Sequence, residues 1–155
     1  MSHFDHVAIV VRSPSEPSEV FLLEAFGTRG VQVSRWSQKK QFLGCHFRKI
    51  AVRKLNWANK SSQIEKLKTM CSDIENLSLT NLFKGGSNSA HRYVSTQLAC
   101  YAYSMCGIVT ADEPTQATYT PHNFSAVENS IQLVEGASFA EEVFIVTDAM
   151  LQPPA

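Results

Sequence analysis

The chain has no excess of charge of either sign: fourteen lysines and arginines stand against fourteen aspartates and glutamates. Such a balance gives no global attraction to nucleic acid or to an anionic membrane, so neither is expected as a partner. Cys45, Cys71, Cys100 and Cys106 include no C-x-x-C spacing, the pattern on which many zinc and redox sites are built. No metal or cofactor is therefore expected, and all four read as reduced packing residues. Long apolar runs are also missing. Near the start the longest is Val7 to Val11, with no basic region before it, so neither a signal peptide nor a membrane span is expected and a cytoplasmic location follows. Internal repeats, charge blocks and interdomain linkers are absent too. With 44% apolar and 18% charged residues, the sequence predicts one domain over residues 1–148, with Ala149 to Ala155 as a frayed tail.

What the sequence does contain is centred on Tyr93 to Gly107, Y-V-S-T-Q-L-A-C-Y-A-Y-S-M-C-G. Val94, Leu98, Tyr101 and Met105 recur at spacings of three and four, Ala99 and Ala102 permit close packing, and Gly107 suits a left-handed helix stop. The hydroxyls at its start belong to Ser95 and Thr96. Unpaired backbone N–H groups and the positive end of the helix dipole lie there, so an anionic nucleophile or developing oxyanion would be stabilised at that point. Taken on the helix alone, Ser95 reads first as a plain N-cap in front of a core helix.

Earlier in the chain, His3 to Arg12 reads as a short strand buried on both faces because β-branched residues dominate it. Ser13 to Pro17 has the composition of a turn. Val20 to Ala25 then pairs antiparallel with the first strand, which brings His6 and Glu24 to the same end of a hairpin. A carboxylate there would orient the imidazole and support its cationic form.

These three segments resemble the permuted papain-fold amidases and peptidases, the YiiX/YaeF-like branch of the NlpC superfamily. D-H-V-A-I-V-V-R and V-F-L-L-E-A are similar to that family's strands bearing its histidine and its acidic residue. Y-V-S-T-Q-L-A-C-Y-A-Y-S-M-C-G-I is similar to its nucleophile segment F-C-S-E-L-V-A-x-x-Y-x-x-x-G-L, with Ser95 where the family has cysteine, Thr96 at its serine and Gln97 at its glutamate. The order of histidine, acid and then nucleophile is the permuted one, and the likeness covers nearly the whole chain. It departs at the N-terminus, where the family's Gly-Asp strand before the histidine is missing; the expectation is a shortened natural form or a truncated chain.

The resemblance implies an α+β fold of the permuted NlpC/papain type, with one antiparallel sheet packed against a central helix. It further implies a hydrolase acting on an amide or acyl bond of a peptide, amide or acyl-containing small ligand, with Ser95 as nucleophile, His6 as general base and Glu24 as orienting group. The serine bears directly on activity. A cysteine at a helix start beside a histidine ionises readily from its usual pKa of about 8.5, whereas a serine hydroxyl must lose its proton during attack. An inactive protein that keeps the cleft and binds such a ligand is the alternative, and a purely structural protein without a cleft is a third.

The remaining elements follow from pattern. Gly27 to Gly30 is a turn, Gly30 to Val33 alternates as a strand closed by Arg35 and Trp36, and Phe42 to Val52 is a further strand candidate carrying His46 as a surface or edge residue. Ser62 to Glu65 has the form of a capping box opening a helix to about Asn76, with Ile64, Leu67, Cys71, Ile74 and Leu77 along one face. Lys84 to Ser89 reads as a loop, with His91 and Arg92 as solvated charge after it. Thr120 to Phe124 predicts a proline-started short helix, while Ile131 to Val134, a turn at Gly136 and Glu142 to Val146 predict a closing pair of strands.

Overall fold

The structure, a computed structural model, describes residues 4–13, 15–26, 30–58, 65–69, 94–109, 119–146 and 151. Residues that are β-branched or aromatic on either side of the Ser13–Glu16 reversal form the first hairpin, strands β1 (Ile9–Ser13) and β2 (Glu16–Phe26). Its turn is tighter than the expected Ser13–Pro17, because Ser13 already pairs with Glu16. Strand β3 (Gly30–Arg35), expected from Gly30 onward, adds antiparallel to β2 and gives a three-stranded sheet in the order β1-β2-β3.

Two expectations change here. The first strand begins at Ile9 rather than near His3, and it is not buried on both faces: its burial alternates and Val10 is 46% exposed. Period-two alternation sends neighbouring residues to opposite faces, and only one face of β1 meets the packed core. The segment Phe42 to Val52 is not one strand. Trp36–His46 forms helix α1, and β4 (Ile50–Asn56) starts only after it. The helix is favoured from outside its own sequence: Glu19 of β2 accepts hydrogen bonds from the Ser37 hydroxyl (2.5 Å) and the Ser37 backbone N–H (3.4 Å), placing a carboxylate at the positive helix end. Helix α1 ends with the Phe47 N–H bonded to the Leu43 carbonyl at 2.8 Å.

The expected closing pair of strands does not form. Val109 and Leu133 make an isolated bridge, and β5 (Ser138–Ile145) pairs antiparallel with β4 instead. Among the described residues the architecture is thus mixed α and β with two small antiparallel sheets rather than one. The turn at Gly136 is present, with φ of +81°, and the proline-started turn is a 3-10 helix at Pro121–Phe124 whose leading Thr120 N–H bonds the Asn123 side chain at 2.6 Å.

The central helix α2 (Val94–Met105) terminates as expected. Gly107 has φ of +64°, its N–H bonds the Ser104 carbonyl at 2.9 Å, and the Ile108 N–H bonds the Tyr103 carbonyl at 2.8 Å, the two bonds of a Schellman stop. Its packed stripe differs from the one expected. Leu98, Ala99, Cys100, Ala102 and Cys106 are buried, whereas Met105 is exposed. Leu98 and Ala102 pack with Leu23 and Ala25 of β2, while Cys100 turns to a second cluster with Tyr119 and Ile131. Thr96, fully buried, donates to the Tyr119 carbonyl at 3.0 Å and ties the helix start to that second cluster. Cys100 and Cys106 are therefore packing thiols, but Cys45 is exposed, on the side of the last turn of α1 away from the buried Leu43 and Gly44.

Residues 65–69 are helical, and the rest of the helix expected around them lies outside the described residues. The same holds for Ser62 to Ile64, Cys71, the loop Lys84 to Ser89, His91, Arg92, Thr110 to Pro114, and the C-terminal tail apart from residue 151. No helix among the described residues is long and apolar enough to cross a membrane.

Leu23 has no exposed surface and lies where β2 meets α2. Leu23→Ala is expected to cost about 3 kcal/mol in urea unfolding, through lost transfer energy and the cavity left behind. Val143→Ala, at a side chain 63% exposed, should change stability by less than about 0.5 kcal/mol.

Candidate functional site

Alternation along β2 sorts its residues into two environments. Leu23 and Ala25 point toward α2, and the intervening Leu22 and Glu24 point away from it, toward α1 and a cavity. Glu24 has no exposed surface, yet it carries a carboxylate. Leaving such a group uncompensated in the interior would be costly, so its surroundings must supply partners.

Three side chains do so. Lys39 reaches from α1 with Nζ 3.1 Å from Glu24 Oε1, and Gln32 Nε2 on the neighbouring strand donates to the same oxygen at 3.2 Å. His6 Nε2 stands 3.5 Å from Glu24 Oε2, an ion-pair distance when the ring is protonated and too long for a good hydrogen bond. Burial by itself would push the Glu24 carboxyl up. The contacts from His6, Lys39 and Ser34 outweigh burial and hold the carboxyl below its ordinary value.

His6 lies ahead of β1 and is fixed by its ring faces as well as by its nitrogen. It stacks on Phe26, with centroids 4.6 Å apart and planes 11° from parallel, and it faces Phe47 at 6.1 Å. Because Nε2 faces Glu24, Nδ1 is the nitrogen turned toward any further partner.

Ser95 sits in the first turn of α2 and is 6% exposed. Its Oγ accepts a hydrogen bond from the Val7 backbone N–H at 3.3 Å, so the hydroxyl lies against the residue next to His6 in the chain. Among the described residues, no hydrogen bond joins Ser95 to His6. The structure thus brings His6 and Glu24 into contact and brings Ser95 to the backbone beside them, while α2 covers the face of β2 opposite to Glu24.

The cavity, of about 510 Å³, lies between the two sheets and α1. Val10 and Leu22 from the first sheet, Val52 and Ile145 from the second, and Trp36 and Leu43 from α1 give it apolar walls. Its polar groups gather elsewhere: His6 and Glu24 border it, as do Asp5, His46, Arg48 and Lys49, but Ser95 does not. His46, expected as a surface or edge residue of a strand, is an exposed residue in the last turn of α1, with Nδ1 2.8 Å from the Phe42 carbonyl and its ring stacked on Phe42 at 3.9 Å. Among the described residues no three histidine, cysteine or acidic side chains converge as metal ligands.

Scanned against protein-family models, curated proteins and solved structures, the chain finds no match.

Sequence reasoning missed Lys39, Gln32 and Phe26 at this site. The strand register carries a signal for Gln32, since Glu24 and Gln32 are directly opposed in the pairing of β2 with β3. Lys39 becomes legible only when Trp36–His46 is read as a helix, which puts Lys39, Phe42, Leu43 and His46 on one side at spacings of three and four.

Lys39→Met keeps an unbranched apolar side chain on α1 but removes the cation that pairs with Glu24 and lies over the Phe26 and Phe42 rings. A loss of about 1–3 kcal/mol is expected near neutral pH, the magnitude of a lost hydrogen bond to a buried charge. Because the folded Glu24 carboxyl is held below its ordinary value of 4.5, its stabilisation is present above that pH and disappears as pH falls through the folded value. Urea unfolding of the two proteins from neutral pH into the acid range should therefore show the deficit of the variant narrowing at the acid end.

Proposed function

We propose that this chain is a permuted papain-like protein that binds a peptide or acyl ligand in the cleft beside His6 and Glu24 without efficient turnover at Ser95. The observation that carries this reading is the separation of cleft and hydroxyl. His6 and Glu24 border the cavity, whereas Ser95 does not, and the Ser95 Oγ is engaged by the Val7 N–H at 3.3 Å.

The chemistry runs in the same direction. A serine nucleophile needs a base within hydrogen-bonding reach as it attacks, because its proton cannot leave beforehand. Here the imidazole is stacked on Phe26 and its Nε2 is directed at Glu24. The buried Glu24, neutralised by Lys39, acts as a fixed post for the ring rather than as a catalytic acid.

A second reading, an amidase or peptidase with Ser95 as nucleophile, His6 as general base and Glu24 as orienting group, is favoured by the Val7 contact itself. That contact holds the hydroxyl at a helix start beside the chain neighbour of the imidazole. A shift of the His6 ring toward α2 would let Nδ1 take the hydroxyl proton, with N–H groups of the first helical turn facing the oxyanion.

A fluorophosphonate probe separates the two. On the binding reading, Ser95 in the folded protein labels no faster than it does after His6→Ala. The thiol introduced by Ser95→Cys should likewise react with iodoacetamide no faster than the exposed Cys45. Labelling at Ser95 that vanishes with His6→Ala, or an introduced thiol that outruns Cys45 only while His6 is present, would establish the hydrolase instead.

A further inference from the structure

The tip of the first hairpin carries a motif that the cleft does not use. Arg12-Ser13-Pro14-Ser15-Glu16-Pro17-Ser18-Glu19 places a proline directly after Ser13 and an acid three residues after it. Pro14 and Pro17 have no backbone N–H to give to a ladder, and the pairing of β1 with β2 shifts register between Val11 and Ser13. This end of the hairpin is its least tied part, so a short stretch around Ser13 can open without disturbing the core. Ser13 Oγ lies 2.7 Å from Ser15 Oγ and accepts the Ser15 N–H at 3.3 Å, and both contacts are exposed.

The register decides what a charge on Ser13 would meet. Ser13 pairs with Glu16, and directly opposed residues put their side chains on one face of a sheet. Arg35, at the end of β3, brings both arms of its guanidinium to the same Glu16 carboxylate, with Nη2 at 2.9 Å from Oε1, and stands 3.9 Å from Glu19. Arg12, one position before Ser13, falls on the other face by alternation. The side chains of Arg35 and Glu16 are 40% and 42% exposed, so their pair is weakly held and open to exchange. A phosphoserine carries nearly two negative charges and three acceptor oxygens, against one charge and two oxygens on Glu16. It is the stronger partner for a guanidinium. Arg35 is also the N-cap of α1 and precedes Trp36, a wall of the cavity, so the exchange acts where α1 begins.

We propose that Ser13 is a phosphorylation site whose phosphate takes Arg35 from Glu16. The donor is a nucleoside triphosphate, and the catalyst is a serine kinase that accepts proline directly after its target. The bond from the γ-phosphorus to its bridging oxygen breaks as one to Ser13 Oγ forms; the nucleoside diphosphate leaves, and the hydroxyl proton passes to the kinase's base. The site lies outside the cleft reading and holds whether or not Ser95 reacts.

Treating the intact chain with a proline-directed kinase and ATP, then locating the phosphate by peptide mass spectrometry, tests the site. Labelling is expected at Ser13, lost in Ser13→Ala and kept in Ser15→Ala. Phosphorus NMR titration of the phosphoprotein tests the pairing. Capture by Arg35 lowers the second phosphate pKa from its ordinary value of about 6, whereas repulsion from Glu16 alone raises it. The lowered value should rise in Arg35→Gln, fall further in Glu16→Gln and change little in Arg12→Gln, with circular dichroism of each variant confirming that the fold is kept. No label at Ser13, or label at Ser15 or Ser18 in its place, overturns the site. A phosphate pKa at or above the ordinary value, or one indifferent to Arg35→Gln, overturns the capture.

Discussion

A carboxylate with no exposed surface sits at the centre of this structure, and much of what surrounds it follows from satisfying it. Glu24 occupies the face of the middle strand turned toward the cavity, where an apolar residue would pack with far less demand on its neighbours. Its charge fixes Lys39 on α1, Gln32 on β3 and His6 ahead of β1 around a single point. Three separate pieces of chain are thereby held in register by one side chain. A buried ionic group of this kind adds little net stability over a hydrophobic replacement, but removing any one partner leaves charge in the interior. The fold is thus constrained toward one arrangement of α1 against the first sheet.

The second constraint is the parity of β2. Residues one apart on a strand face opposite sides, so the same strand serves two environments that do not mix. Leu23 and Ala25 build the core with α2, while Leu22 and Glu24 build the wall of the cavity. The hydroxyl at the start of α2 consequently belongs to the core side. It meets the His6 segment through the Val7 backbone, whose N–H reaches the Ser95 Oγ.

This parity also explains which features were legible in the sequence. The meeting of His6 with Glu24 could be read from a hairpin alone, because antiparallel pairing from Ser13 and Glu16 onward carries the two toward the same end. The Gly107 stop could be read because only local backbone chemistry decides it. Trp36–His46 could not: Gly44 interrupts it, its apolar residues alternate near Phe42 and Phe47, and the carboxylate at its first turn comes from Glu19, 18 residues before the Ser37 it binds. The pairing of β4 with β5 was hidden for a related reason. The residues that oppose one another, from Ile50 with Ile145 to Asn56 with Ser138, are far apart in the chain, and no turn composition announces a partner at such separation.

The serine at the start of α2 takes its meaning from the same geometry. A thiol beside an imidazole can pass it the proton before substrate arrives and wait as a thiolate paired with the imidazolium. A hydroxyl tolerates no such arrangement, since its base must be in contact at the instant of attack. In this structure the imidazole is held from both sides, by the Phe26 ring on one face and by Glu24 at Nε2, and Glu24 is in turn held by Lys39 and Gln32. Releasing the ring toward Ser95 would therefore withdraw one of the partners that make a buried carboxylate bearable. A nucleophilic Ser95 would need the same histidine that stands beside Glu24 in this cluster, and as the cluster stands that histidine borders the cavity.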